Sequence, residues 1–213
     1  MAALPTDYTD AVAPTGATTE FPATTARGIN AFATEINTKI SGSDSVSDLT
    51  ALQSQVTVAG TVYYINGSAV ALPADYAVGT KFRWTIAMAK TAAGTGAFNI
   101  HIKVGTAATV ADTSVVTQSI GTQTAAVDNM MLDINARVVT TGATGTLYWA
   151  IIPTNKAATA TGFGTPVGPT GQFSGTTGAV NLSTANLRVG IAFASVTGTP
   201  TITIPMCRAN CYR

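Results

Sequence analysis

Charge is scarce in this sequence. Asp, Glu, Lys and Arg together make up only 10% of the 213 residues, whereas they make up about a quarter of an average globular protein. Eleven basic and ten acidic residues leave a formal net charge of +1, and no two basic residues are adjacent. Nucleic acid and anionic membranes are bound through clustered basic residues, so we expect neither as a partner. Low charge also means weak repulsion between copies, so we expect much of the surface to be covered by a partner or by further copies.

The sequence also lacks a long apolar run. Stretches such as YWAII at 148–152 are far shorter than the roughly 20 residues that a membrane-spanning helix needs. The first residues, MAALPTDYTDAVAPTG, have neither the basic start nor the apolar segment of a secretory signal. We therefore expect the chain to start in the cytoplasm, with no export of its own, and to be assembled there. Hydrophobic residues still make up 46% of the chain, enough for a core, so the chain should fold.

Carboxylates and histidine, the usual groups of acid–base catalysis, are few. Asp133 lies on the same face of a strand pattern as Arg137, and an exposed ion pair explains both. No P-loop, Ser-His-Asp context or calcium-type run is present. We therefore expect no enzyme activity, no cofactor and no metal. The candidates for a paired-carboxylate hydrolase are Asp112, Asp128 and Asp133, because Glu20 and Glu35 lie in the predicted arm and helix, away from any plausible pocket.

One histidine and two cysteines complete the inventory of reactive side chains. His101 is expected to face solvent, because Asn99 and Lys103 share its side of an alternating strand. Cys207 and Cys211 lie four residues apart, which is about 13 Å on a straight strand. A disulfide needs Cα atoms within about 7 Å, so these two can bridge only if the chain turns. The two cysteines are therefore either unpaired thiols in a reducing compartment or a disulfide formed in an oxidising medium. A metal site would lack the usual set of ligands.

The first 28 residues read as an extended arm. Pro5, Pro14 and Pro22 and a high Thr and Ala content disfavour helices and a packed core. We expect this arm to lie along another protein surface, with Tyr8 and Phe21 as its apolar anchors.

Residues 29–55 are predicted to form a short amphipathic helix and a linker. Ile29, Phe32, Ile36 and Ile40 recur at spacings of three, four and four, which makes one apolar stripe, and Gly42 can end the helix. A helix this short is marginal alone in water. The stripe must therefore pack on the chain's own β domain, around an axis with two further copies, or on a larger assembly.

From residue 56 to the end, apolar residues alternate with polar ones, as is typical of strands. GTKFRWTIAMAK and AFNIHIKVG are expected to pair as a hairpin, and RVGIAFASV and TITIPM as a final hairpin. With about eight strands and no intervening helix, the pattern predicts a mainly β fold. We expect an antiparallel β-sandwich with Greek-key or jelly-roll-like connections over 56–213.

Two features of this β region bear on binding. Trp84, Tyr148 and Trp149 are expected to pack in the core or at its rim, and exposed aromatics would instead suggest a carbohydrate platform. The Gly-, Thr- and Pro-rich segment 155–181 reads as a surface-covering or interface loop, which Phe163 and Phe173 pin to a surface.

In general character the chain resembles phage virion proteins: capsid decoration (cement) proteins, head fibres and short tail fibres. Residues 1–28 are similar to an anchoring arm and 29–40 to a trimerisation or docking segment. Phrases such as SIGTQTAAVDNMMLDINARVV and TGATGTLYWAII look like a projecting domain. The resemblance implies a homotrimer in the virion, bound to the major capsid protein or another virion protein. A tail-fibre or tail-tip receptor-binding protein is the alternative.

Overall fold

The computed structural model describes residues 45–49, 51–155, 162–163 and 172–212, and the statements below concern these residues. The predicted arm (1–28) and helix (29–40) lie outside the described residues. So do their candidate contact residues Tyr8, Phe21, Ile29, Phe32, Ile36 and Ile40.

The described part of the chain forms two antiparallel sheets, which confirms the predicted antiparallel β-sandwich. Sheet A has the strand order β1-β12-β5-β8-β9-β10, and β2 also pairs with β12; sheet B has the order β3-β11-β6-β7, and β4 also pairs with β11. The strands are β1 (Ser45–Asp48), β2 (Gln53–Val56), β3 (Val62–Tyr64), β4 (Val70–Ala71), β5 (Lys81–Lys90), β6 (Gly96–Gly105), β7 (Thr113–Gln123), β8 (Asp128–Thr140), β9 (Thr146–Asn155), β10 (Phe173–Thr176), β11 (Arg188–Ser195) and β12 (Thr201–Tyr212).

Both predicted hairpins are wrong, although their strands exist. β5 pairs with β12 and β8 in sheet A, whereas β6 pairs with β11 and β7 in sheet B. In the same way β11 lies in sheet B and β12 in sheet A. Alternation shows that one face of a strand is buried, but both inner faces of a sandwich are apolar. A short loop between two such strands can therefore cross from sheet to sheet instead of turning back.

The sandwich begins before residue 56, the predicted boundary. β1 pairs with residues 208–211 of β12 and β2 pairs with residues 201–204, so part of the predicted linker belongs to sheet A. The run VTVAGTVYYI is two strands, because Gly60 has a φ of 73° and turns the chain between β2 and β3.

The core fills the space between the two inner faces. Trp84 is fully buried there, and its indole Nε1 donates a 2.7 Å hydrogen bond to the Ser68 carbonyl. Phe98 packs edge-on against Phe163, with ring centroids 5.2 Å apart. Phe163 is 1% exposed, so it is a core residue and does not pin a loop to a surface. Phe173, expected in the same loop, lies in β10 opposite Ile151 of β9.

Candidate functional site

The outward face of sheet A is the main candidate surface. Strand alternation turns the even-numbered side chains of β5 and β8 into the core and the odd-numbered ones outward. The registers of β12, β5, β8 and β9 then set the outward side chains in rows across four strands. From one end the rows are Tyr212–Lys81–Arg137–Tyr148, Asn210–Arg83–Asn135–Ala150, Arg208–Thr85–Asp133–Ile152 and Met206–Ala87–Met131–Thr154.

The first row, together with Arg83 and Asn135 of the second, lines a groove, which we call the tyrosine–cation groove. It has a volume of about 410 Å³, within the range of small-ligand sites. Tyr212 and Tyr148 stand at its two ends, 39% and 42% exposed, with Lys81 and Arg137 between them. The groove is lined by Lys81, Phe82, Arg83, Asn135, Ala136, Arg137, Tyr148 and Tyr212.

The ion pair on this face is not the predicted one. Asp133 accepts hydrogen bonds from Arg83 Nη2 at 2.8 Å and from Arg83 Nε at 3.2 Å, and it does not pair with Arg137. Arg137 lies four residues along the same strand, about 13 Å away, whereas Arg83 is a diagonal neighbour on β5. The hydrogen bonds and charge of Asp133 raise the pKa of the Arg83 guanidinium above its ordinary value.

Lys81 and Arg137 therefore remain without counter-ions in the described part of the chain. They are directly opposite each other in the β5–β8 register, where two like charges destabilise a sheet. The groove thus concentrates positive charge in a protein that has little charge elsewhere.

The predictions for the three aromatic residues have different outcomes. Trp84 is in the core, and Trp149 is half-buried against the core with its ring over Gly175. Tyr148 is neither core nor rim, because it points away from the core into the groove. Sequence reasoning missed Tyr212 altogether. Strand alternation could have placed it outward. Cys207 and Cys211 are odd-numbered and buried on β12, so the even-numbered Tyr212 faces the opposite side.

The opposite end of the same face is apolar. Met131 and Met206 are 40% and 41% exposed in the last of the four rows, and Ala87 lies between them. A water-facing antiparallel strand normally presents polar side chains at such positions. Adjacent exposed apolar residues, methionine in particular, are typical of protein interfaces.

The aspartates considered for catalysis do not converge. Asp133 faces outward from sheet A, whereas the buried Asp128 on the same strand faces inward. Asp128 accepts hydrogen bonds from the backbone N–H groups of Asn129 (2.8 Å) and Phe163 (3.1 Å). Asp112 belongs to the loop before β7 in sheet B, where its Oδ1 accepts from the Ala107 N–H at 3.0 Å. Each carboxylate therefore has a local structural role.

His101 was predicted to be exposed, and it is only 6% exposed. Its Nδ1 lies 3.0 Å from Thr117 Oγ1, and burial followed by the charge of Lys103 lowers its pKa. On this outer face of sheet B the β6–β7 loop folds over Lys103, whose Nζ donates to the carbonyls of Val110 (2.9 Å) and Asp112 (2.7 Å). Alternation told the two faces apart, but it did not reveal that the polar one is buried at His101 and Lys103.

The same face holds a buried polar cluster. Burial and the charge of Asp112 raise the pKa of Tyr64 to about 12. Two buried atoms, His101 Nε2 and Asp112 Oδ2, have no hydrogen-bond partner among the described residues. Tyr64 lies so close over Gly190 that a Cβ there would overlap its ring.

Cys207 and Cys211 lie on the buried side of β12, at 2% and 0% exposure, and no disulfide links them. The strand runs extended through both residues in its pairing with β5, so the turn that a bridge requires is absent there. Within the described ranges, no cluster of His, Cys, Asp and Glu is arranged to hold a metal ion. No helix among the described residues is long and apolar enough to cross a membrane.

Comparison with known proteins gives little. No protein-family model and no curated protein matches the chain. Among solved structures, a chain from the structure of infectious bursal disease virus, Gx strain, is 13% identical with a TM-score of 0.27. The match covers 79% of this chain and 41% of the viral chain. It is a weak likeness to a viral structural protein.

Proposed function

We propose that this chain is a phage virion structural protein that decorates and stabilises the capsid. In this proposal residues 1–28 fasten the protein to the major capsid protein or another virion protein, and the sandwich projects. The protein acts as a homotrimer by assembly, and it is not an enzyme. One observation carries the proposal: the apolar end of the outward face of sheet A, where Met131 and Met206 are exposed on either side of Ala87.

This surface supports assembly for a physical reason. Transferring apolar side chains from water into a contact is favourable by about 25 cal/mol per Å², so a face that exposes two neighbouring methionines gains by being covered. A protein that binds only the assembled shell stabilises that shell by linkage. An arm that contacts neighbouring subunits raises the effective concentration of the protein at its second binding site. Low overall charge favours the same outcome, since copies of the chain repel one another weakly.

The mass of the purified protein tests the oligomer. We expect light scattering to give about three times 21.6 kDa for the full chain. Met131→Lys and Met206→Lys should lower that mass if the apolar end is the contact. Val110→Lys is the matched control, because Val110 is 51% exposed but lies in the β6–β7 loop of sheet B. A full chain that is monomeric at all concentrations would refute the trimer.

The decoration role is tested on virus particles. Particles lacking the protein should lose their DNA at a lower temperature than complete particles, and adding the purified protein should restore the difference. Equal heat resistance of the two kinds of particle would show that the protein does not stabilise the shell.

A specific observation favours the second candidate, a tail-fibre or tail-tip receptor-binding protein. Tyr148 and Tyr212 are exposed aromatic side chains in a groove, as a binding platform requires. The number of copies per particle separates the two roles. Hundreds of copies on a stained gel indicate decoration, and a handful indicates a tail component.

A further inference from the structure

We propose that the tyrosine–cation groove binds an acidic oligosaccharide through carboxylate groups on its sugar rings. This inference does not depend on the virion role, because it rests on the groove alone. A decorating protein, a tail protein or another surface protein would each bring such a groove into contact with charged glycans.

The charge of the groove determines the sign of its ligand. Lys81 and Arg137 are exposed, directly opposite each other and without counter-ions in the described residues. Among the described residues of this face, the Asp133 carboxylate is paired with Arg83 through two hydrogen bonds. A bound anion between Lys81 and Arg137 would remove the repulsion that their register otherwise imposes.

The shape of the groove determines the kind of anion. Tyr212 and Tyr148 are three strand spacings apart, roughly 14 Å between Cα atoms, and they close the two ends of the row. Tyrosine offers an apolar ring face together with a hydroxyl group, which suits the C–H face and the hydroxyls of a sugar. The Asn135 side chain adds an amide that both donates and accepts hydrogen bonds. A carboxylate suits the guanidinium of Arg137, which can donate two parallel hydrogen bonds.

Other occupants fit less well. An extended peptide adds to a sheet at a free edge, but the floor of this groove is the face of β12, β5, β8 and β9, whose backbone groups are already paired. A second copy docking by the same face would bring four uncompensated cations together. A nucleic acid strand is held by many phosphate contacts, whereas the groove offers two free cations.

Direct binding to the purified full chain tests the proposal. The probe is trigalacturonate, and its fully methyl-esterified form is the control, because it keeps the rings but loses the charges. We expect calorimetry to detect trigalacturonate and the ester to bind at least about tenfold more weakly, as the loss of a charge-assisted hydrogen bond predicts. Trigalacturonate should also raise the melting temperature of the full chain, because it binds the folded state.

Matched variants place the binding in the groove. Arg137→Met and Lys81→Met should each weaken trigalacturonate about tenfold. Tyr148→Ala and Tyr212→Ala should weaken both trigalacturonate and its ester.

Arg208→Met is the control, since Arg208 is an exposed cation on the same sheet face but does not line the groove. Urea unfolding of each variant checks that a loss of binding does not come from a loss of folding. Lys81→Met and Arg137→Met should be no less stable than the parent, because each removes one of two opposed charges.

Several results would overturn the proposal. They are the absence of trigalacturonate binding, equal binding of the ester, or an equal loss in Arg208→Met. Tighter binding of a (dT)₁₂ oligonucleotide would make the groove a nucleic-acid site. Competition by millimolar inorganic phosphate as effective as trigalacturonate would reduce it to a general anion site. Dissociation of an oligomer by Arg137→Met would make it an interface between copies.

Discussion

Lys90 provides a direct test of how the core accommodates charge. It is 2% exposed, and its ammonium donates to the carbonyls of Thr124 (2.8 Å), Ala126 (3.0 Å) and Thr91 (3.2 Å), opposite Asp128 in the β5–β8 register. Lys90→Met keeps the apolar stem and removes the three hydrogen bonds. At about 1 kcal/mol net for each bond, we expect a loss of about 3 kcal/mol. Burial lowers the pKa of Lys90, so the charged form already carries a desolvation cost, which the net figure includes.

Urea unfolding of two further lysine variants calibrates this figure. Lys103→Met removes two hydrogen bonds, to Val110 and Asp112, and should cost about 2 kcal/mol. Lys81→Met removes an exposed lysine and should change stability by less than about 0.5 kcal/mol. In thermal unfolding, Lys90→Met should lower the melting temperature by about 6–12 °C for a domain of this size. If Lys90→Met is as stable as Lys81→Met, the hydrogen bonds only repay the desolvation of the ammonium and the reasoning fails.

Three further predictions concern other buried groups. The lowered pKa of His101 means that the unfolded chain takes up this proton more readily than the folded one. Stability should therefore be retained above pH 6.5, the ordinary histidine pKa, and should fall below it; urea unfolding across pH should show a shallower fall in His101→Gln. Gly190→Ala should cost about 1–3 kcal/mol by overlap with Tyr64, measured by the same method, and Tyr64→Leu in the same chain should recover part of the loss. Cys207 and Cys211 should react with a thiol reagent only after unfolding, and intact mass after mild oxidation should show no bridge; fast labelling of the native protein would contradict their burial.

Much of the fold follows from local pattern. The alternation in KFRWTIAMAK and in MMLDINARVV predicted β5 and β8 and told their buried side chains from the outward ones. Period-two alternation is a property of each strand alone, so it does not depend on which strand is the partner. Glycine is also the residue that most readily adopts a positive φ, and Gly60 does so in the turn between β2 and β3.

Pairing errors explain most of what was missed in the candidate site. Asp133 was assigned to Arg137 because the two are close in sequence, but its partner Arg83 is 50 residues away along the chain. His101 was predicted to face solvent because its neighbours are polar, yet it is only 6% exposed. The groove itself joins Tyr212 to Lys81, Arg137 and Tyr148, residues from four strands that no short-range pattern links.

The sequence by itself determined that this chain is mainly β, that its strands have one apolar side, and that charge is sparse. Those properties depend on composition and on nearest neighbours along the chain. Only the tertiary structure decided which sheet each strand joins and which cations have no counter-ion among the described residues. It also decided that the polar outer face of sheet B at His101 and Lys103 is buried. Each of these depends on contacts between distant segments, and two apolar inner faces are alike enough that local pattern cannot choose between them.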